Sequence, residues 1–101
     1  MIEKRYLKSK PICKVKFSLS KADIESAKNI AVVGDFNNWD ITANPLRKQK
    51  SGVFSSTVDL EIDRSYQFRY VLDGKIWIND TEADSFVPSN VSLEQNCLLD
   101  I

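Results

Sequence analysis

Apolar and polar residues alternate along much of this chain with a period of two. From Ile12 to Leu19, the residues Cys13, Val15, Phe17 and Leu19 fall on one side and Lys14, Lys16 and Ser18 on the other. That is the pattern of a half-buried strand. Phe54 to Ile62 repeats it, with Phe54, Ser56, Val58, Leu60 and Ile62 inward and Ser55, Thr57, Asp59 and Glu61 outward. Asn29 to Gly34 is apolar on both phases and reads as a central strand. Tyr66 to Leu72 and Ile76 to Asn79 read as a hairpin, and Asn96 to Ile101 as a closing strand. Ser20-Lys21-Ala22-Asp23 has capping-box spacing, equally compatible with a helical turn over 22–27 and with a plain loop. Thr42 to Gly52 and Thr81 to Gln95 read as polar connections. Short strands at regular spacing predict an all-β, immunoglobulin-like sandwich of about seven or eight strands.

The hairpin has two readings, and they put its tryptophan on opposite faces. Asp73-Gly74 suits a two-residue type I′ turn, which pairs Trp77 with Tyr70 and points it inward. A three-residue loop, Leu72-Asp73-Gly74, pairs Val71 with Lys75, Tyr70 with Ile76 and Arg69 with Trp77. One face is then Phe68, Tyr70, Ile76 and Ile78; the other is Arg69, Val71, Lys75, Trp77 and Asn79. A one-residue slip flips every side chain, so burial selects the register. Burying both isoleucines outweighs burying one tryptophan beside a lysine, at about 1.5–3 kcal/mol per large side chain. The bulged form, with Trp77 exposed beside Arg69, is therefore expected.

Composition narrows the function more than the fold. The 101 residues fit one domain, 1–101, with residues 1–10 a flexible or edge-strand segment. Fourteen basic residues balance fourteen acidic ones, so the chain carries no overall footprint for nucleic acid or anionic membrane. No apolar run approaches the ~20 residues of a membrane helix, and no secretory signal opens the sequence. These features predict a cytoplasmic protein. Cys13 and Cys97 are too few for a disulfide scaffold and fall on apolar strand phases, so they are expected as reduced core thiols. Without histidine or a CxxC pair, no metal or other cofactor is expected. Asp80, Glu82 and Asp84 share one loop and lack an opposing partner for glycosidase chemistry. The chain reads as a non-catalytic module.

The remaining chemistry is aromatic. Gly34-Asp35-Phe36-Asn37-Asn38-Trp39 ends a strand and swings an indole out on a turn, and Trp77 is the other tryptophan. A flat indole covers the C–H face of a pyranose at little rotamer cost. Arginine and amides bond the hydroxyl rim. Two indoles at an angle suit the curvature of an α-linked glucan better than a flat β-linked one. Arg69 could serve there or form a cross-strand ion pair with an acidic neighbour. Asn37 and Asn38 are foremost turn residues.

These motifs resemble the α-glucan-binding early-set domains: the glycogen-binding domain of the AMP-activated protein kinase beta subunit and the N-terminal domains of isoamylases and branching enzymes. The likeness rests on the Gly34-to-Trp39 turn, the Tyr66-Gln67-Phe68-Arg69-Tyr70 strand, and Asp73-Gly74 followed by Trp77. It implies carbohydrate-binding module family 48-like function, with Trp39 and Trp77 stacking on glucose units. It also implies Arg69 in the place of a sugar-bonding lysine, Asn96 as a sugar-bonding amide, and Leu93 as the counterpart of a leucine inserted near the ring. The expected partner is glycogen, starch or a malto-oligosaccharide, and through such a domain a glycogen-metabolising enzyme. The alternative is an early-set module that binds protein and has lost sugar affinity. The hairpin carries one residue more before Trp77 than the kinase domain does, and the loop 80–94 is longer.

Overall fold

A computed structural model describes residues 1–24, 26–89 and 94–101. Among these residues, nine strands form two antiparallel sheets packed face to face. One sheet has the order β1 (Ile2–Tyr6), β2 (Ile12–Leu19), β5 (Phe54–Glu61), β4 (Arg47–Lys48). The other has β3 (Ile30–Gly34), β6 (Ser65–Leu72), β9 (Gln95–Asp100) and β8 (Ser85–Pro88), and β7 (Ile76–Ile78) also pairs with β6. The architecture is the all-β sandwich that the alternation predicts.

The core forms where the inner phases of both sheets meet. Cys13, Val15, Phe17 and Leu19 of β2 lie against Val32 of β3, Tyr66, Phe68, Tyr70 and Leu72 of β6, and Cys97 and Leu99 of β9. Phe17 sits among aromatics, 5.1 Å from Phe68 and 6.3 Å from Tyr70, ring centre to ring centre. Tilted and edge-on contacts of this kind add to the area buried. In β5 the inner phase holds as expected, although Ser55, expected outward, is buried as well. The capping box is real. Ser20 N and Oγ both donate to Asp23 Oδ2 at 2.8 Å, and a short helix, α1 (Lys21–Ile24), follows.

Four expectations need correction. First, the apolar segment Ile30–Gly34 is an edge strand rather than a central one. Its free side is closed by Leu46 N donating to Ile30 O at 2.8 Å and Val32 N donating to Asn44 O at 3.1 Å. This irregular cover replaces a neighbouring strand, so both phases can be buried at an edge. Second, the connections 42–52 and 81–95 are not wholly irregular. They contain β4 and β8, two- and four-residue edge strands too short to show alternation. Third, the hairpin pairs Tyr70 with Ile78, Val71 with Trp77 and Leu72 with Ile76. Asp73 and Gly74 take the left-handed turn, at φ 51° and 68°, and Lys75 N donates to Leu72 O at 3.0 Å. Lys75 is then the extra residue. The shift of two from the expected register preserves the faces, because the side-chain period is two. Fourth, Ile76 is 59% exposed, although Ile78 packs on the core as expected. Ile76 stands at the hairpin tip in a strand whose neighbour, among the described residues, is β6 alone.

Candidate functional site

The even-numbered residues of β6 enter the core, so its odd-numbered residues face away from it. On this outer face Val33 of β3 lies opposite Arg69, and Ala31–Val71–Trp77 form a row across β3, β6 and β7. Ala31, Val33 and Val71 are buried even though they point away from the inter-sheet core. The sheet therefore carries a second, shallow apolar layer on its outside, and Trp77 ends one row of it.

Trp39 reaches the same face from the turn after β3. A single 3-10 turn, Asp35–Asn37, follows Gly34. Phe36 drops inward and stacks on Phe17, with ring centres 5.8 Å apart. Asn37 binds the turn together. Its Oδ1 accepts from Gly34 N at 3.0 Å, and its Nδ2 donates to Val32 O at 3.0 Å and to Asn44 Oδ1 at 2.8 Å. Asn38 and Trp39 both take φ of 57°, and the chain reverses so that Trp39 N donates to Gly34 O at 3.0 Å. The indole ends up stacked beside Trp77, with ring centres 6.5 Å apart and planes 30° apart. Trp39 is half-buried and Trp77 is 39% exposed.

Both indoles are held by charged groups. Asp35 accepts Trp39 Nε1–H at 3.2 Å on one oxygen and Gln67 N–H at 2.8 Å on the other. It ties the turn to β6 as well as fixing the ring. Arg69 is buried beneath Trp77, its guanidinium 6.0 Å from the ring centre. Its Nε donates to Asn79 Oδ1 at 2.8 Å, Nη1 to Glu94 Oε2 at 2.8 Å and Nη2 to the Trp77 carbonyl at 3.2 Å. Arg69 thus makes an ion pair with Glu94 of the kind the sequence allowed. Asn96 is buried too, and its Nδ2 donates to Gln67 Oε1 at 3.1 Å. Leu93 lies outside the described residues.

So the structure brings Trp39, Trp77 and Arg69 together, with the arginine under the indole rather than beside it. Asn96 stands in the floor of the same face, one step beyond the Phe68–Cys97 pair. Sequence reasoning missed Asp35, Gln67 and Glu94. Asp35 alone left a signal, as an acid four residues before an indole in a tight turn. Two proton affinities are raised, and both belong to the core. Burial first, then the Asp80 carboxylate, pushes the Tyr70 phenol up. Burial pushes the Cys97 thiol up to about 11. Both are core groups made less reactive, not groups poised for chemistry. Among the described residues no cluster of His, Cys, Asp or Glu could hold a metal ion, and no helix is long and apolar enough to cross a membrane.

The chain is thus a small antiparallel β-sandwich with two adjacent, partly exposed indoles on the outside of one sheet. The sequence profile of carbohydrate-binding module 48, the isoamylase N-terminal domain, matches residues 24–85, and the chain belongs to that family. It is a carbohydrate-binding module of immunoglobulin-like fold, from a family of non-catalytic binding modules. The matched segment includes Trp39, Arg69 and Trp77 and stops short of Asn96. Comparison with curated proteins gives no match to the chain.

Proposed function

We propose that this chain is a non-catalytic module for α-glucans — glycogen, starch or malto-oligosaccharides — that binds them on the Trp39–Trp77 pair. The supporting observation is the geometry of that pair: two adjacent, partly exposed rings inclined at 30°. The incline gives a shallow bend that follows a curved α-linked chain better than a flat ribbon. Arg69 acts from below, holding the Trp77 carbonyl, and Asn96 stiffens the floor through Gln67. Two of the three loop carboxylates that could suggest hydrolysis have structural duties. Asp80 accepts from the Tyr70 hydroxyl, and Asp84 accepts from Lys4 Nζ and Asp100 N. Two free, buried thiols suit a reducing compartment, the cytoplasm.

An open platform buries little ligand, and each hydroxyl bonded must first be desolvated. Affinity is expected at about −4 to −7 kcal/mol, millimolar to tens of micromolar. Titration with maltoheptaose, followed by indole NMR shifts and calorimetry, tests the reading. Trp39→Ala and Trp77→Ala should each abolish most of the binding. No heat and no indole shift at millimolar ligand would refute the sugar reading and leave a protein-binding module, for which the exposed Ile41 and Ile76 nearby would be the contact surface.

A further inference from the structure

Beside the indole pair lies a groove of about 250 Å³ along the edge of β3. Its apolar lining includes Ala31, Ile41 and Val71, and Lys28 and Asn29 contribute polar groups at its margin. The groove and the platform share a floor. Ala31, Val71 and Trp77 are successive partners across three strands. Strands lie about 4.8 Å apart, so Val71 and Ala31 stand one and two strand spacings from the second indole. The other wall comes from the platform turn itself. Ile41 follows Trp39 by two residues and its Cδ1 lies 3.8 Å from where a side chain on Gly74 would begin.

The polar margin is available. Asp73 Oδ1 accepts the backbone N–H groups of Lys28 and Asn29, both at 2.9 Å. These bonds hold the hairpin tip against the start of β3 and fix where both side chains leave the chain. Neither the Lys28 ammonium nor the Asn29 amide makes a hydrogen bond among the described residues. Ala31 and Val71 are buried, so the apolar surface the groove offers is that of the exposed Ile41 and Pro45. With unspent donors and an acceptor at the rim, it matches the two surfaces of a pyranose, as the indoles alone do not.

We propose that this groove binds a further sugar residue of the same glucan, extending the site from the indoles over Val71 to Asn29. The inference rests on the α-glucan reading of the platform. It makes the module selective for length. A short oligomer occupies the indoles only, whereas a longer one reaches the groove and gains contacts with Lys28, Asn29 and Ile41.

The experiment is an NMR titration with maltotriose and with maltoheptaose, read at the two indole N–H groups, the Ala31 and Val71 methyls and the Asn29 side-chain amide. Maltotriose should move the indoles and leave the groove signals in place; maltoheptaose should move both sets. Asn29→Ala and Ile41→Ser, both exposed, should weaken maltoheptaose binding three- to tenfold and leave maltotriose binding within twofold. Indole shifts with both sugars but none in the groove would overturn this inference and leave the platform standing. Groove shifts that saturate independently of the indoles would also overturn it, because the two would then be separate sites. No shift anywhere would overturn the underlying sugar reading.

Discussion

At the scale of single residues, the indole pair depends on its supports. Asp35 touches Trp39 Nε1 and the backbone of β6 at once, so it fixes the angle between the rings without needing to meet a ligand. Two indole transitions with centres 6.5 Å apart should couple and give a paired band in circular dichroism. Asp35→Ala should weaken that band and lower maltoheptaose affinity at least threefold, at a stability cost of about 1–2 kcal/mol. Asp35→Asn, which keeps an acceptor, should restore part of both signals. An unchanged band together with unchanged affinity would show the ring to be held by packing alone. The sequence made Trp39 and Trp77 visible because exposed aromatics break the expected distribution. It left open whether Arg69 and Asn96 face a ligand or the protein, because the same residue type serves either.

At the scale of elements, the strands with clean alternation were legible: β2, β5, β6 and β9. Those that escaped were the short edge pieces β4 and β8, which alternation cannot reveal over two to four residues. The hairpin was legible in parity and not in register. The pattern of apolar residues fixes which face a side chain takes but not the pairing, and in the folded hairpin the Asp73 carboxylate at the turn accepts from Lys28 N, 45 residues away. A contact so distant in sequence leaves no local trace. Gly34 shows the converse, a glycine required by close packing rather than by its dihedrals. Its φ is −179°, open to any residue. A Cβ there would press on the Gln67 carbonyl and lie 2.9 Å from Phe68 Cβ. Gly34→Ala should cost about 1–3 kcal/mol in urea unfolding and displace the turn that carries Trp39. Unchanged stability would mean that β3 and β6 can separate more easily than their packing implies.

At the scale of the molecule, the two sheets enclose both cysteines. Cys13 is fully buried, and Cys97 is fully buried with its thiol raised to about 11. At pH 8 that thiol is neutral, and the thiolate is the nucleophile. Alkylation of the native protein at pH 8 should therefore be slow at both positions and complete within minutes in denaturant. Fast native labelling would mean that the sandwich opens locally at β9 or β2. The backbone at Trp39 carries the opposite implication. An L-residue with positive φ is held at a cost of roughly 1–2 kcal/mol, and here it follows Asn38 in the same region. Glycine would sit in that position without strain. By placing its largest side chain where the smallest would be most comfortable, the domain gives up part of its own stability to keep one ring in view.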